Sequence, residues 1–322
     1  MRSSSGTLGG VVAKRPRLAR AAQPLAWVVL GALLGAVAAA APSGATASAV
    51  KPYRLGVVGF YNPRLMYLKY QPLVDYLAVR TGHPWELEIS ATYQGTVDAL
   101  CSGQLTLAYL GPLTYVRAHA ACDAVPIVRL QTAGKPTYRS YVMVRVDSNI
   151  HTLHDLKGSS FGFGSPLSTS SHLVPRAMLE RAGLVVGKDI RCRYYYHHDR
   201  AARAVLMRDV AACGIRDIAA ARFIGRGLRI LARSEPLPNF PLVVSSATPK
   251  SLRSLLIEAL VDIPQRDPLA RRQMAGWDEE LAGGFALTAD AEFEPIRQLA
   301  RKIFGPRALE LSSRALVCDG RS

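Results

Sequence analysis

The first 49 residues contain no acidic side chain, the whole chain contains no C-x-x-C pair, and after residue 50 no apolar run is long enough to cross a bilayer. These absences exclude a zinc ribbon, a thioredoxin-type redox site and an internal transmembrane segment. No Gly-Lys-Ser/Thr follows a glycine-rich turn, and Gly162 and Gly164 lack a third glycine at the dinucleotide offset, so nucleotide hydrolysis loses its main support. No H-x-x-x-H spacing or Cys/His cluster offers a metal site. Aromatics are scarce at 7%, and single arginines dispersed along helices replace the basic, aromatic-laced stripe of a nucleic-acid binder.

What is present is core material. With 49% hydrophobic and 20% charged residues over 322 positions, the chain is globular and long enough for two compact units. Lys and Arg number 40 against 24 acidic residues, a net charge of +16 that favours an anionic ligand or surface.

Arg2, Lys14, Arg15, Arg17 and Arg20 precede the apolar run Leu25 to Ala41, and Ala47-Ser48-Ala49 follows it. That layout predicts a secretory signal over residues 1–49, with a mature chain starting near Val50 and carrying +11; an uncleaved membrane anchor is the alternative. Cys101, Cys122, Cys192, Cys213 and Cys318 all follow the leader. An exported chain permits disulfides, and Cys192 and Cys213 meet if their strands are neighbours. Buried free thiols are the other reading, and the odd count leaves at least one unpaired.

Beyond the leader, strand-like and helical patterns alternate. Strands are expected over 53–60, 86–90 and 105–111, separated by helices over 68–82 and 96–103. A second cycle follows the extended stretch 138–148, with a strand into FGFG, a helix over 171–183, a strand at DIRCRYYY, a helix at AARAVLMR and a strand at VAACGI. Such interleaving predicts an α/β fold of two lobes, each a mainly parallel sheet flanked by helices. Ligand loops then gather at strand C-termini, placing Tyr93 and His198 on opposite walls of one cleft.

The strongest local signal is FGFGSPLSTSSHLVPRAMLERAG, 161–183. A strand ends in a Gly-Ser-Pro turn and runs through Ser168, Thr169, Ser170 and Ser171 into a helix. Helix-initial N–H groups lack internal partners and sit at the positive end of the dipole, so added hydroxyls make a donor-rich socket for a tetrahedral oxyanion. Ordinary N-capping by one hydroxyl is the competing reading. His197, His198 and Asp199 fall at the junction of a strand and a helix, and adjacent histidines on a strand point to opposite faces, which disfavours a shared metal. Ser, His and Asp for a hydrolase triad are present as composition only.

Together these segments resemble the periplasmic substrate-binding proteins of phosphonate, phosphite and phosphate ABC importers. The likeness runs through YQGTVDALCSGQLTLAYLGPLTYV (93–116), YRSYVMVRVDSNIHTLHDLKG (138–158), FGFGSPLSTSSHLVP (161–175), HDRAARAVLMRDV (198–210), RSEPLPNFPLVV (233–244) and residues 276–303, in the family's order. The resemblance implies a two-lobed type II binding-protein fold with lobe 1 over 50–140 plus 241–310, lobe 2 over 141–240, and a tail over 311–322. Crossovers near 138–145 and 239–245 would join the lobes. It further implies that Ser168, Thr169 and Ser170 grip phosphoryl oxygens, aided by Tyr93, Tyr138 and His198. Ser171 stands where the family usually has Gly, and His172 where an aromatic is common. Of the acidic positions that hold an aminophosphonate's ammonium, one falls on Phe240 and the other lies near Asp217, which favours a smaller oxyanion. The implied protein is a monomer without cofactor, metal or catalytic residue, delivering a small anion to an inner-membrane ABC permease. A sensor serving a membrane histidine kinase is the alternative, and an exported phosphoester or phosphonate hydrolase the contrasting one.

Overall fold

The computed structural model describes residues 50–59, 61, 63–261, 268, 272, 274, 276–310, 312 and 316. The leader 1–49, Cys318 and most of the expected tail lie outside the described residues.

Two mixed sheets carry the fold. Strands β1 (Tyr53–Val58), β2 (Trp85–Ser90), β3 (Leu107–Tyr109), β4 (Val125–Leu130), β12 (Pro241–Val244) and β13 (Phe285–Leu287) form the first, in the order β13-β4-β12-β3-β1-β2. The second holds β6 (Ser140–Arg145), β7 (Ser160–Phe163), β8 (Arg191–Tyr194), β9 (Ala212–Arg216) and β10 (Leu228–Arg233), in the order β10-β6-β9-β7-β8. The parallel pairings expected from interleaved helices are β1 with β2 and β3, and β7 with β8 and β9. Strands that lead into or out of the crossovers run antiparallel, because the chain reverses each time it changes sheet: β6 pairs β9 and β10, and β12 pairs β3 and β4.

The crossovers themselves pair. Strands β5 (Thr137–Tyr138) and β11 (Leu237–Pro238) form a two-stranded antiparallel ribbon, with Tyr138 opposite Leu237. Tyr138 therefore sits on the link between the sheets.

Helices start where local chemistry dictates. Thr92 caps α2 (Tyr93–Cys101), its Oγ1 accepting from Gly95 N at 3.0 Å, so Tyr93 opens the helix instead of preceding it. The Gly111-Pro112 pair, which reads as a turn, is the start of α3 (Pro112–Cys122): Pro112 at the first position gives up no needed N–H. Helix α1 spans Pro63–Thr81, five residues longer toward its start than the periodicity suggests, with Pro72 tolerated inside it. Helix α4 (Val174–Arg181) begins three residues later than expected, because Thr169–Leu173 wind as a π-helical turn in which Leu173 N donates to Ser168 O. The remaining helices are α5 (His198–Leu206), α6 (Asp217–Ala221), α7 (Lys250–Val261) and α8 (Glu294–Phe304). Among the described residues no helix is long and apolar enough to cross a membrane.

One disulfide expectation is corrected. Cys192 lies on β8 and Cys213 on β9, but β7 runs between them, so the two cannot meet. Cys192 is disulfide-bonded elsewhere and Cys213 is a buried free thiol, packed with Met143, Val205 and Ile215 between α5 and the second sheet. Cys101 instead bonds Cys122, tying the end of α2 to the end of α3. Replacing both of these by Ser is expected to cost about 3 kcal/mol, since the bridge closes a loop with a sequence separation of 21. Thermal unfolding of the double-serine variant beside the wild type, without reductant, measures it, and an unchanged midpoint would show the bridge contributes nothing.

Candidate functional site

The hydroxyl turn lies inside the protein, not on its surface. Tyr93, Tyr138, Ser168, Thr169, Ser170 and His198 are each no more than 5% exposed. Residues from both sheets converge on the turn. Leu113 N, at the start of α3, donates to Thr169 Oγ1 at 2.8 Å, and Thr114 Oγ1 donates to Leu167 O at 3.3 Å. Ser140 Oγ, the first residue of β6, donates to Ser170 O at 2.6 Å.

This wiring decides which way the protons point. Ser168 Oγ accepts from Ser171 N at 3.1 Å, the cap of the turn, and Thr169 Oγ1 accepts from Leu113 N. A hydroxyl that already accepts a backbone N–H keeps its own O–H to donate. The capping reading of the sequence thus describes Ser168 correctly, and it leaves a donor in place.

Ser170 Oγ and the Tyr138 hydroxyl are buried and have no hydrogen-bond partner among the described residues. They are neighbours: the Tyr138 phenol lies beside the hydroxyls of Thr169 and Ser170, and Tyr93 beside that of Ser168. Burial pushes both phenols well above the usual tyrosine range, so they are protonated donors. Buried hydroxyls without partners are costly, and an anion that accepts from them removes the cost.

His198 opens α5 and its Nδ1 accepts from Arg216 N at 3.1 Å. The proton of a neutral ring is then on Nε2. Burial, with Arg216 nearby, lowers the pKa of His198 to about 3, so the neutral ring persists at physiological pH. His197, by contrast, is half-buried and lines a cavity of about 380 Å³ with Thr92, Tyr93, Pro166, Tyr196 and Arg200.

Arg216 and Glu280 are the residues that sequence reasoning missed. Arg216 ends β9 of the second sheet, and Glu280 lies in a turn ahead of β13 of the first. The Arg216 guanidinium donates through Nη1 to Glu280 Oε1 and through Nη2 to Asn239 Oδ1 at 3.1 Å. It lies 4.2 Å from the Phe240 ring centroid and 5.0 Å from that of Tyr138. Glu280 also accepts from Tyr109 Oη at 2.9 Å and faces Lys69 Nζ at 3.5 Å, and Lys69 pairs with Asp278 as well. Burial alone would raise the Glu280 carboxyl, but the Arg216 and Lys69 charges outweigh it and hold the group below its usual range. Only the pattern of an arginine at a strand end pointed to this, and Arg145 and Arg233 share it among the described residues.

The other singled-out positions have structural duties. Phe240 is buried and stacks on Tyr109 at 5.3 Å, so the aromatic at this position packs in the core. Asp217 is close by, but its oxygens accept from the backbone N–H groups of Arg139 and Ile218, each at 2.8 Å. Ser171 Oγ donates to Gly214 O, and a Cβ on Gly164 would come within 2.5 Å of that hydroxyl. His172 does the work of an aromatic, edge-on to Phe163 and Tyr194, while Nδ1–H donates to Pro166 O at 2.8 Å and Nε2 accepts from Tyr194 Oη at 2.9 Å. Gly158 to Gly162 spells G-x-S-x-G, but Ser160 begins β7, whereas a nucleophile elbow needs the serine where a strand ends. Among the described residues no group of three or more His, Cys, Asp or Glu side chains is placed to hold a metal.

Both buried imidazoles make stability pH-dependent. Burial lowers His172 to about 3, as it does His198. Below pH 6.5 the unfolded chain takes up protons that the folded rings refuse, so stability falls as pH drops from about 6.5 to about 3, by up to ~1.4 kcal/mol per unit for each ring. Histidine NMR checks this directly: both rings should keep neutral-ring shifts down to pH 5, and titration of either near 6.5 contradicts its burial.

Two sheets joined by a paired double crossover, with a buried hydroxyl turn held by Leu113, which follows a strand of one, and Ser140, which begins a strand of the other, are the architecture of a two-lobed solute-binding protein. The chain belongs to the family described as ABC transporter, phosphonate, periplasmic substrate-binding protein, which it matches over residues 55–292. It is 36% identical over 120 residues to the phosphate-import protein PhnD of Mycolicibacterium smegmatis, covering 36% of this chain and 37% of that one. It is 22% identical to the phosphonates-binding periplasmic protein of Escherichia coli, covering 78% and 76% of the two chains. In structure it is similar to the binding component of a Pseudomonas aeruginosa ABC phosphonate transporter (TM-score 0.70, 21% identity, 80% of this chain and 87% of that one). PhnD1 of Prochlorococcus marinus, solved with methylphosphonate, aligns at TM-score 0.70 and 17% identity over 79% and 99% of the chains. These structural likenesses establish the fold.

Proposed function

We propose that this protein captures a small phosphorus oxyanion, such as phosphate, phosphite or a simple phosphonate, outside the cytoplasm and delivers it to the permease of an ABC importer. The observation that carries this is the pair of buried hydroxyls, on Tyr138 and Ser170, that have no hydrogen-bond partner among the described residues yet neighbour one another in the interior. Ser168, Thr169, Tyr93 and the Nε2–H of His198 complete the donor set, and Asp217 frames it from α6. Hydroxyls also accept, which suits a ligand still carrying a proton. The name of the M. smegmatis relative favours phosphate, and that of the Prochlorococcus structure favours methylphosphonate.

Residues 50–140 with 241–310 would act as one lobe and 141–240 as the other, closing about the β5–β11 ribbon because only the closed form makes contacts from both walls. Residues 1–49 would direct export, with cleavage near Val50. Each charge-assisted hydrogen bond contributes about 1.5–3 kcal/mol once desolvated. Calorimetry against phosphate, phosphite, methylphosphonate and sulfate tests the reading. Saturable one-to-one binding of a phosphorus oxyanion, weaker for sulfate, is expected. Failure of all four to bind overturns it, and hydrolysis of a phosphoester that Ser168→Ala abolishes would favour an enzyme instead.

A further inference from the structure

We propose that Arg216, held in place by Glu280, is the specificity-determining residue of the cleft: its Nε–H joins the donors for the oxyanion, and its charge turns away ligands bearing an ammonium group. This rests on the oxyanion-binding reading above. Of the five guanidinium N–H donors, those used in the protein are on Nη1 and Nη2; Nε is buried, 4.0 Å from Asp217 Oδ1, and has no hydrogen-bond partner among the described residues. The guanidinium touches the Tyr138 ring, whose hydroxyl belongs to the donor set, and its own backbone N–H orients His198. Stacking on Phe240 and the fork to Glu280 and Asn239 fix the plane of the group, which pre-organises the remaining donor.

The acids around it are already engaged. Glu280 receives Arg216 and Tyr109 and faces Lys69. Asp217 accepts two backbone N–H groups, and Asp278 accepts from Lys69 and from Glu280 N. An incoming ammonium would therefore meet a guanidinium whose own neighbouring carboxylates already have partners, in a site where low dielectric strengthens repulsion; Asp199, whose Oδ1 is buried without a partner among the described residues, faces a separate cavity beside His197 and Arg200. Glu280 acts as a positioning residue: it holds the arginine and neutralises enough charge to keep it buried.

The test titrates the full-length protein with methylphosphonate and 2-aminoethylphosphonate, with a thermal melt of each variant as the check of folding. The wild type should prefer methylphosphonate by about 100-fold or more. Arg216→Gln with Glu280→Gln, which removes both charges together, should weaken methylphosphonate about 10- to 100-fold and narrow the preference below about tenfold. Arg216→Lys keeps a charge but lacks Nε, so it should bind methylphosphonate about tenfold more weakly with the preference kept. An unchanged preference in the double variant, wild-type affinity in Arg216→Lys, or tighter binding of 2-aminoethylphosphonate by the wild type overturns the proposal. Should the double variant fail to fold, Arg216→Lys decides by itself. A wild type that binds no phosphorus oxyanion at all is a different result: it removes the oxyanion reading and this inference with it.

Discussion

Replacing Glu280 with Ala is expected to lower the unfolding free energy by about 3–5 kcal/mol, with a melting midpoint lower by roughly 10 °C. The cause is not the loss of an attraction alone. Arg216, 5% exposed, would lose the carboxylate its Nη1 donates to, while Lys69, 8% exposed, would keep only Asp278, and a buried charge stripped of its partner is costly. Glu280→Gln keeps an acceptor for Arg216 and should lose less. Denaturant unfolding of the two variants beside the wild type measures this. A loss below about 1 kcal/mol for Glu280→Ala would show that water reaches the cluster and the pair is not buried as described.

The second large effect is on binding. Tyr138→Phe combined with Ser170→Ala should weaken phosphorus-oxyanion binding about 100-fold or more, since each lost hydrogen bond to a charged ligand is worth about 1.5–3 kcal/mol. The same double variant should unfold within about 1 kcal/mol of the wild type, or be slightly more stable. Neither hydroxyl has a protein partner among the described residues, so deleting it strands nothing, and the phenylalanine ring can keep its packing on Phe240 and Arg216. Lost affinity with retained stability marks a group reserved for a ligand. Retained affinity would place the anion elsewhere, and a large loss of stability would make these hydroxyls structural.

Much of the candidate site was legible in the sequence because its parts are local. Four consecutive hydroxyl residues between a strand and a helix announce a capped turn, whatever the rest of the chain does, and Ser168 caps it as expected. The helix start shifted because the turn winds as a π-helix before Pro175, a choice that residue periodicity does not encode. His198 was placed correctly at a strand-to-helix junction, but its tautomer depends on Arg216 N, 18 residues away. The family resemblance set Asp217 near a position that holds an ammonium; in the fold its oxygens accept from the backbone of the crossover and of its own helix.

By itself, the sequence determined the α/β alternation, the hydroxyl turn and the family likeness, because capping, hydrophobic period and motif order act over a few residues at a time. Only the tertiary structure decided that β7 parts Cys192 from Cys213, that Cys101 bonds Cys122, and that Arg216 meets Glu280 across 64 residues. Those outcomes depend on which strands become neighbours and on which charges are carried into the interior together. Such choices are set by packing of distant segments, so no local pattern announces them.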